Sequence, residues 1–190
     1  MSLERRPVKG TLDIHRELLV RDVPHEVVRL PRLVLAADEL PEALGLPADR
    51  CVAVRVYLAD EDLVAVLVRA GDVPDPARLL TLLRARTLRV ADADLINAST
   101  DYAAGLVAPL LLPPEVTVLC DAAVPRAAVV YVPTGESGTA VGIPTEDLLA
   151  VTGARVAELC NASEPLIELP DLDGDPVAGP PASILLPRPG

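Results

Sequence analysis

Leu12, His15, Leu18 and Leu19 recur at helical spacing until residues 22–24 break the pattern, which predicts a first helix. Residues 1–10, charged and containing Pro and Gly, are expected to be frayed. Residues 26–30 read as a strand and 36–44 as a short helix, with Pro41 tolerable only in its first turn and Gly45 as its cap. Two Val- and Leu-rich runs, 51–59 and 63–69, flank Asp60-Glu61-Asp62 and predict a central hairpin. A helix over 74–84, with Leu79, Leu80, Leu82 and Leu83 as a broad apolar face, leads to a strand at 87–90. Asp92 then caps a short helix through Ile96. Strands follow at 116–120, 127–132 and 139–143, the last two around the Gly135-Glu136-Ser137-Gly138 turn. Thr145-Glu146-Asp147 opens a helix to Thr152, and 155–159 is a closing strand.

From Asn161 the pattern changes. Seven prolines fall in the last thirty residues, with five acidic groups ahead of Ile184-Leu185-Leu186. Residues 11–160 therefore read as one domain and 161–190 as a Pro-rich acidic tail. Its prolines oppose a regular helix or central strand, while its apolar pairs suit docking along the domain or against another copy of the chain.

Composition narrows the chemistry. Hydrophobic residues make up 51% of the 190, yet Phe and Trp are absent and only Tyr57, Tyr102 and Tyr131 are aromatic. Val, Leu, Ala and Ile must fill the core, so β-branching and shape carry the packing. A net charge of −11 and few stacking platforms disfavour DNA and non-specific nucleic-acid binding. The densest basic run, Arg84, Arg86 and Arg89, is read as a solvated helix end or a local patch. Cys51, Cys120 and Cys160 are odd in number and far apart, which suggests free buried thiols and neither zinc nor another metal. The longest apolar region, 106–124, is broken by prolines and acids, so a soluble, cytoplasmic chain with no membrane partner is expected.

Residues 102–109, Tyr-Ala-Ala-Gly-Leu-Val-Ala-Pro, are read as the active-site loop. Gly105 can take φ > 0 and lets a ligand approach its N–H, and Pro109 stiffens the exit. Gly-x-x-x-Pro here resembles the signature loop of the YbaK and prolyl-tRNA-synthetase-associated editing domains, which hydrolyse mischarged aminoacyl-tRNA. The resemblance covers about residues 11–159. It includes Leu44-Gly45-Leu46, Ala91-Asp92, Asp121, Tyr131-Val132 with Gly135 and Gly138, and Val151-Thr152-Gly153-Ala154. It implies an α+β fold, a compact domain with a curved mixed β-sheet covered by helices and a substrate pocket at the Gly105 loop. The implied partner is aminoacyl-tRNA or its 3′ end, with an aminoacyl-tRNA synthetase as a further one; no cofactor is implied.

Two positions depart from that pattern. The family's usual lysine falls on Ala53, and Lys9, before the first helix, is the only lysine in the chain. Arg55, two residues on and on the same strand face, is the nearest cation, although a planar guanidinium is not a compact ammonium. Ala108 replaces a frequent hydroxyl residue. On the resemblance, Gly105 supplies an oxyanion donor, Leu106 and Val107 help form a size-selective wall, Pro109 holds the loop, and Arg55 holds the terminal ribose or phosphate, or else forms a structural ion pair. Asp121 either orients water or the substrate amine, or caps a turn. Tyr102 and Tyr131 are read as core, and His15 and His25 as structural or exposed.

No nucleophile elbow, P-loop or dinucleotide fingerprint is present, and the glycine in residues 171–175 comes too early for a calcium loop. Two function classes remain: an aminoacyl-tRNA deacylase, weakened by the missing lysine, and a non-catalytic relative binding a small ligand, tRNA end or protein partner.

Overall fold

A computed structural model describes residues 9–161; the 1–8 segment and nearly all of the expected tail, 162–190, lie outside the described residues. The chain order is α1 (Thr11–Val20), β1 (Glu26–Arg29), α2 (Leu40–Leu44), β2 (Val52–Ala59), β3 (Asp62–Arg69), α3 (Pro76–Leu83), β4 (Leu88–Val90), α4 (Ala93–Thr100), β5 (Thr117–Asp121), β6 (Val129–Pro133), β7 (Thr139–Pro144), α5 (Thr145–Thr152) and β8 (Arg155–Ala157). Helices and strands fall where the apolar patterning places them, with end shifts. Asp75 and Pro76 start α3 at its cap, and α4 runs one turn beyond Ile96, its Thr100 hydroxyl donating to the Ile96 carbonyl. The closing strand stops at Ala157, short of residue 159.

The α+β class stands, with the strands divided between two sheets. Five strands run in the order β4-β2-β3-β5-β8, and three in the order β1-β7-β6. The β2–β3 hairpin is in continuous register from Val52↔Arg69 to Ala59↔Asp62. Its turn is fixed by Asp60, in the left-handed region at φ 52, whose carboxylate accepts the Arg86 and Thr87 N–H groups. β3, β5 and β8 are parallel, and a bridge between Cys51 and Tyr131 joins the two sheets.

Because β2 and β3 are covered on both faces, alternate residues enter different cores. Val52, Val54, Val56, Ala65 and Leu67 pack in the cluster that contains Ile14 and Leu18 of α1 and Tyr102, Val107 and Ala108 of the loop. Ala53, Tyr57, Val64, Val66 and Val68 pack in the cluster of Leu40, Leu79, Leu106, Leu119 and Leu159. The 102–110 loop therefore feeds both cores, and its position follows from the sheet.

Cys51 and Cys120 are buried free thiols, as expected, whereas Cys160 is a free thiol only half-buried. Burial pushes Cys51 up to about 11 and Cys120 to about 12. Among the described residues no group of three or more His, Cys, Asp or Glu is placed to hold a metal, and no helix is long and apolar enough to cross a membrane.

Candidate functional site

After α4, Asp101 turns the chain at φ 61, Tyr102 buries its ring, and residues Ala104–Leu106 form one 3₁₀ turn closed by Leu106 N–H to the Ala103 carbonyl at 2.8 Å. Tyr102 then reaches across the loop, its hydroxyl donating to the Leu110 carbonyl at 2.8 Å. Lys9 closes the base from outside: its Nζ donates to Leu111 O at 2.7 Å and Thr100 O at 3.1 Å, and lies 5.5 Å from the Tyr102 ring centroid. The exit residue Leu111 sits at φ 56, a left-handed conformation that an L side chain holds only when its surroundings enforce it.

Gly105 is exposed, but its φ is not in the positive region expected from its type. Glycine is needed there for a different reason: a Cβ would collide with the Leu35 carbonyl oxygen and sit 3.5 Å from the Ala36 Cα. The loop backbone thus lies directly on the 35–36 backbone. Leu106, Val107, Ala108 and Pro109 are buried, so these residues anchor the loop in the two cores and do not stand as an open wall.

Ala53 is 1% exposed and shares its core with Leu106. Its register partner is Val68, and continuing the β3–β5 register places Asp121 next in line, so Ala53 and Asp121 face the same way about 10 Å apart, two strand spacings. The Asp121 carboxylate is 3% exposed and accepts three backbone N–H groups: Leu159 and Cys160 at 2.8 Å on one oxygen, Ala123 at 2.9 Å on the other. Of its two sequence readings, this geometry is that of the turn cap.

Arg55 stands on the Ala53 face and is held from two sides. Its Nη1 and Nη2 bind both oxygens of Asp38 at 2.9 and 2.7 Å, and its Nε and Nη2 donate to the Asp72 carbonyl at 3.2 and 3.1 Å. Asp38 also accepts Gly71 N–H at 2.8 Å. Burial raises the Asp38 pKa, but the Arg55 hydrogen bonds, the Gly71 N–H and the Arg55 charge outweigh it and leave the carboxyl below its usual value. Arg55 thereby clips the turn that follows Leu35 and Ala36 onto the sheet, the same segment on which Gly105 rests.

Of the predicted site residues, Gly105 and Arg55 are thus brought to one stretch, residues 35–38, whereas Asp121 and Pro109 stand elsewhere. Asp121 lines a hollow of about 240 Å³ and Pro109 a separate one of about 260 Å³ with Glu17, Arg21 and Val151; neither includes Arg55 or Gly105. Sequence reading missed Asp38, the Leu35 carbonyl and the place of Lys9 at the loop base, all brought in by the fold from positions with no motif. It also missed the contact of His15 Nδ1 with His25 Nε2 at 2.8 Å. Arg84, Arg86 and Arg89 are exposed, as a solvated run would be.

Residues 33–151 match the family model of the aminoacyl-tRNA editing domain, and the chain belongs to that family. It is 30% identical over 115 residues to the proline–tRNA ligase of Thermoanaerobacter sp. (strain X514), covering 60% of this chain and 20% of the ligase. With the proline–tRNA ligase of Desulfovibrio desulfuricans the identity is 34% over 87 residues, 46% of this chain and 15% of the ligase. The chain thus spans about a fifth or less of the length of these relatives. In fold it is similar to a hypothetical protein solved by crystallography (TM-score 0.72, 20% identity, 78% of this chain and 99% of that one). It is also similar to a protein described as a candidate trans-editing enzyme for prolyl tRNA synthetase (TM-score 0.69, 24% identity, 78% and 94%).

Proposed function

We propose that this member of the aminoacyl-tRNA editing family hydrolyses the ester of mischarged aminoacyl-tRNA, slowly, by positioning substrate and water against the Gly105 main chain. The observation that carries the reading is the exposed Gly105 backbone, set against the Leu35 carbonyl and followed by the buried Leu106, Val107, Ala108 and Pro109. Rigid backbone donors of this kind stabilise a developing oxyanion without reorganising. Water adds to the ester carbonyl, the ester C–O bond breaks, and the proton lost by water ends on the departing ribose oxygen. The substrate's own hydroxyls relay that proton, and Asp121, saturated by backbone donors, does not act as the base. Nor do the cysteines supply a thiolate, since burial holds Cys51 and Cys120 protonated. Relatedness to parts of proline–tRNA ligases supports a charged tRNA as substrate and a synthetase as its source.

Slow turnover follows from Ala53. Where the family usually carries an ammonium, this chain has a methyl group 1% exposed, and Arg55 is committed to Asp38 and Asp72. The same observation favours a second reading, a non-catalytic module that binds the tRNA end, a small ligand or a protein. A deacylation assay over a panel of mischarged tRNAs separates them. The hydrolase reading expects slow release of amino acid, abolished by Gly105→Val and raised by Ala53→Lys; no release from either the unaltered chain or Ala53→Lys on any charged tRNA leaves the binding module.

A further inference from the structure

The carboxyl ends of the three parallel strands converge on the 240 Å³ hollow, a location where sheets of this kind commonly receive ligands. β3 ends there in Arg69, β5 in Asp121, and Glu158 follows β8; Arg78 of α3 and Arg126, from the turn after β5, complete a triad of guanidinium groups. In a chain with 17 basic and 28 acidic residues, three arginines around one small space stand against the background charge.

Arg78 and Arg69 are held with donors to spare, and Arg126 is unengaged among the described residues. Arg78 spends Nη1 on the Glu158 and Cys160 carbonyls at 3.3 and 3.2 Å, which fixes its plane at the rim and leaves Nε and Nη2. Arg69 spends Nε on Asp72 at 2.8 Å and leaves both Nη groups. Arg126 is exposed and has no side-chain hydrogen bond or ion pair among the described residues. The facing carboxylates compete weakly. Asp121 already accepts three N–H groups, and Glu158 is exposed and free to turn to solvent. The Cys160 thiol, pushed up to about 12 first by burial and then by Asp121, adds no negative charge.

We propose that Arg69, Arg78 and Arg126 form a phosphate-binding site for a phosphate ester. Forked donors converging from three elements exceed what the two oxygens of a carboxylate can accept and suit the tetrahedral set of a phosphate. The site is independent of ester hydrolysis at Gly105, although the hydrogen-bonded series Arg69–Asp72–Arg55–Asp38 runs from it to the turn after the Leu35–Ala36 backbone on which Gly105 rests.

The test is titration of the full chain at low salt with inorganic phosphate and, separately, with a short single-stranded RNA ending in CCA. Binding is followed by calorimetry and by the arginine Nε signals in nitrogen–proton NMR. Phosphate is expected to shift the Arg69 and Arg78 signals, and the Arg78→Gln, Arg126→Gln double variant to bind at least about tenfold more weakly, the loss of one or two charge-assisted hydrogen bonds. Arg126→Gln alone, at an exposed and unpaired position, tests the same point without risk to folding. If RNA binds and phosphate displaces it, the ligand is a phosphodiester of nucleic acid; if only phosphate binds, it is a small phosphate ester. Binding unchanged in both variants, or no response to either probe, overturns the assignment, and neither result bears on whether mischarged tRNA is hydrolysed.

Discussion

The Tyr102 hydroxyl and the Leu110 carbonyl, 2.8 Å apart, tie the two ends of the candidate loop together inside a core where water does not reach either group. Tyr102→Phe keeps the ring and removes only the donor, leaving a buried carbonyl without its partner. The expected loss is about 1–3 kcal/mol, read by denaturant unfolding. Hydrolysis should fall with it if the loop geometry is what positions the ester; an unchanged stability would show that the bond contributes nothing net.

Gly135 supports the same tyrosine from behind. At φ 88, a Cβ there would lie 2.7 Å from both the Lys9 carbonyl oxygen and the Tyr102 ring. Gly135→Ala should therefore cost on the order of 1–3 kcal/mol from backbone strain alone, with the collision added. Gly135→Asn, which tolerates the left-handed region better, should still be destabilised because the collision remains.

Replacing Ala53 by lysine places an ammonium in a core position shared with Val68, Leu106 and Leu159. Thermal unfolding should show a loss of about 3 kcal/mol or more, since a long side chain overpacks the site and its charge has no partner there. Any gain in deacylation has to be measured per folded molecule. A variant as stable as the unaltered chain would mean that the new side chain reaches solvent.

The Arg55–Asp38 pair predicts a specific acid response. The folded-state carboxyl lies below its ordinary value of 3.8, so its contribution to stability is complete above that pH and is lost as pH falls through the lower folded value. Unfolding midpoints of the unaltered chain and Asp38→Asn should differ at pH 7 and converge well below pH 4. Arg55→Lys should resemble Asp38→Asn at pH 7, because an ammonium cannot bind both Asp38 oxygens and the Asp72 carbonyl together.

The order of elements is readable in the chain because its signals are local. Alternating Val and Leu with Asp60 between them specify the hairpin, and Asp75, Asp92 and Gly45 mark helix ends. Ala, Ser and Thr at 98–100 hide the last turn of α4, since small polar residues give no apolar periodicity. The two sheets are joined by a bridge between Cys51 and Tyr131, far apart in sequence, so no local signal shows how they meet. The site was half legible for the same reason. Gly105 announces itself by type, while the reason for it, the Leu35 carbonyl, and the partner of Arg55 are set by tertiary packing alone.

Lys9 holds Thr100 and Leu111 on either side of the candidate loop, and no other side chain in the sequence carries a primary amine. Acylation of that amine removes the charge and the donors that fasten the loop base. Its rate under a neutral acetylating reagent is accordingly a direct readout of how often the loop detaches. A ligand that settles against Gly105 should protect Lys9, which gives this chain a built-in chemical reporter that needs no introduced label.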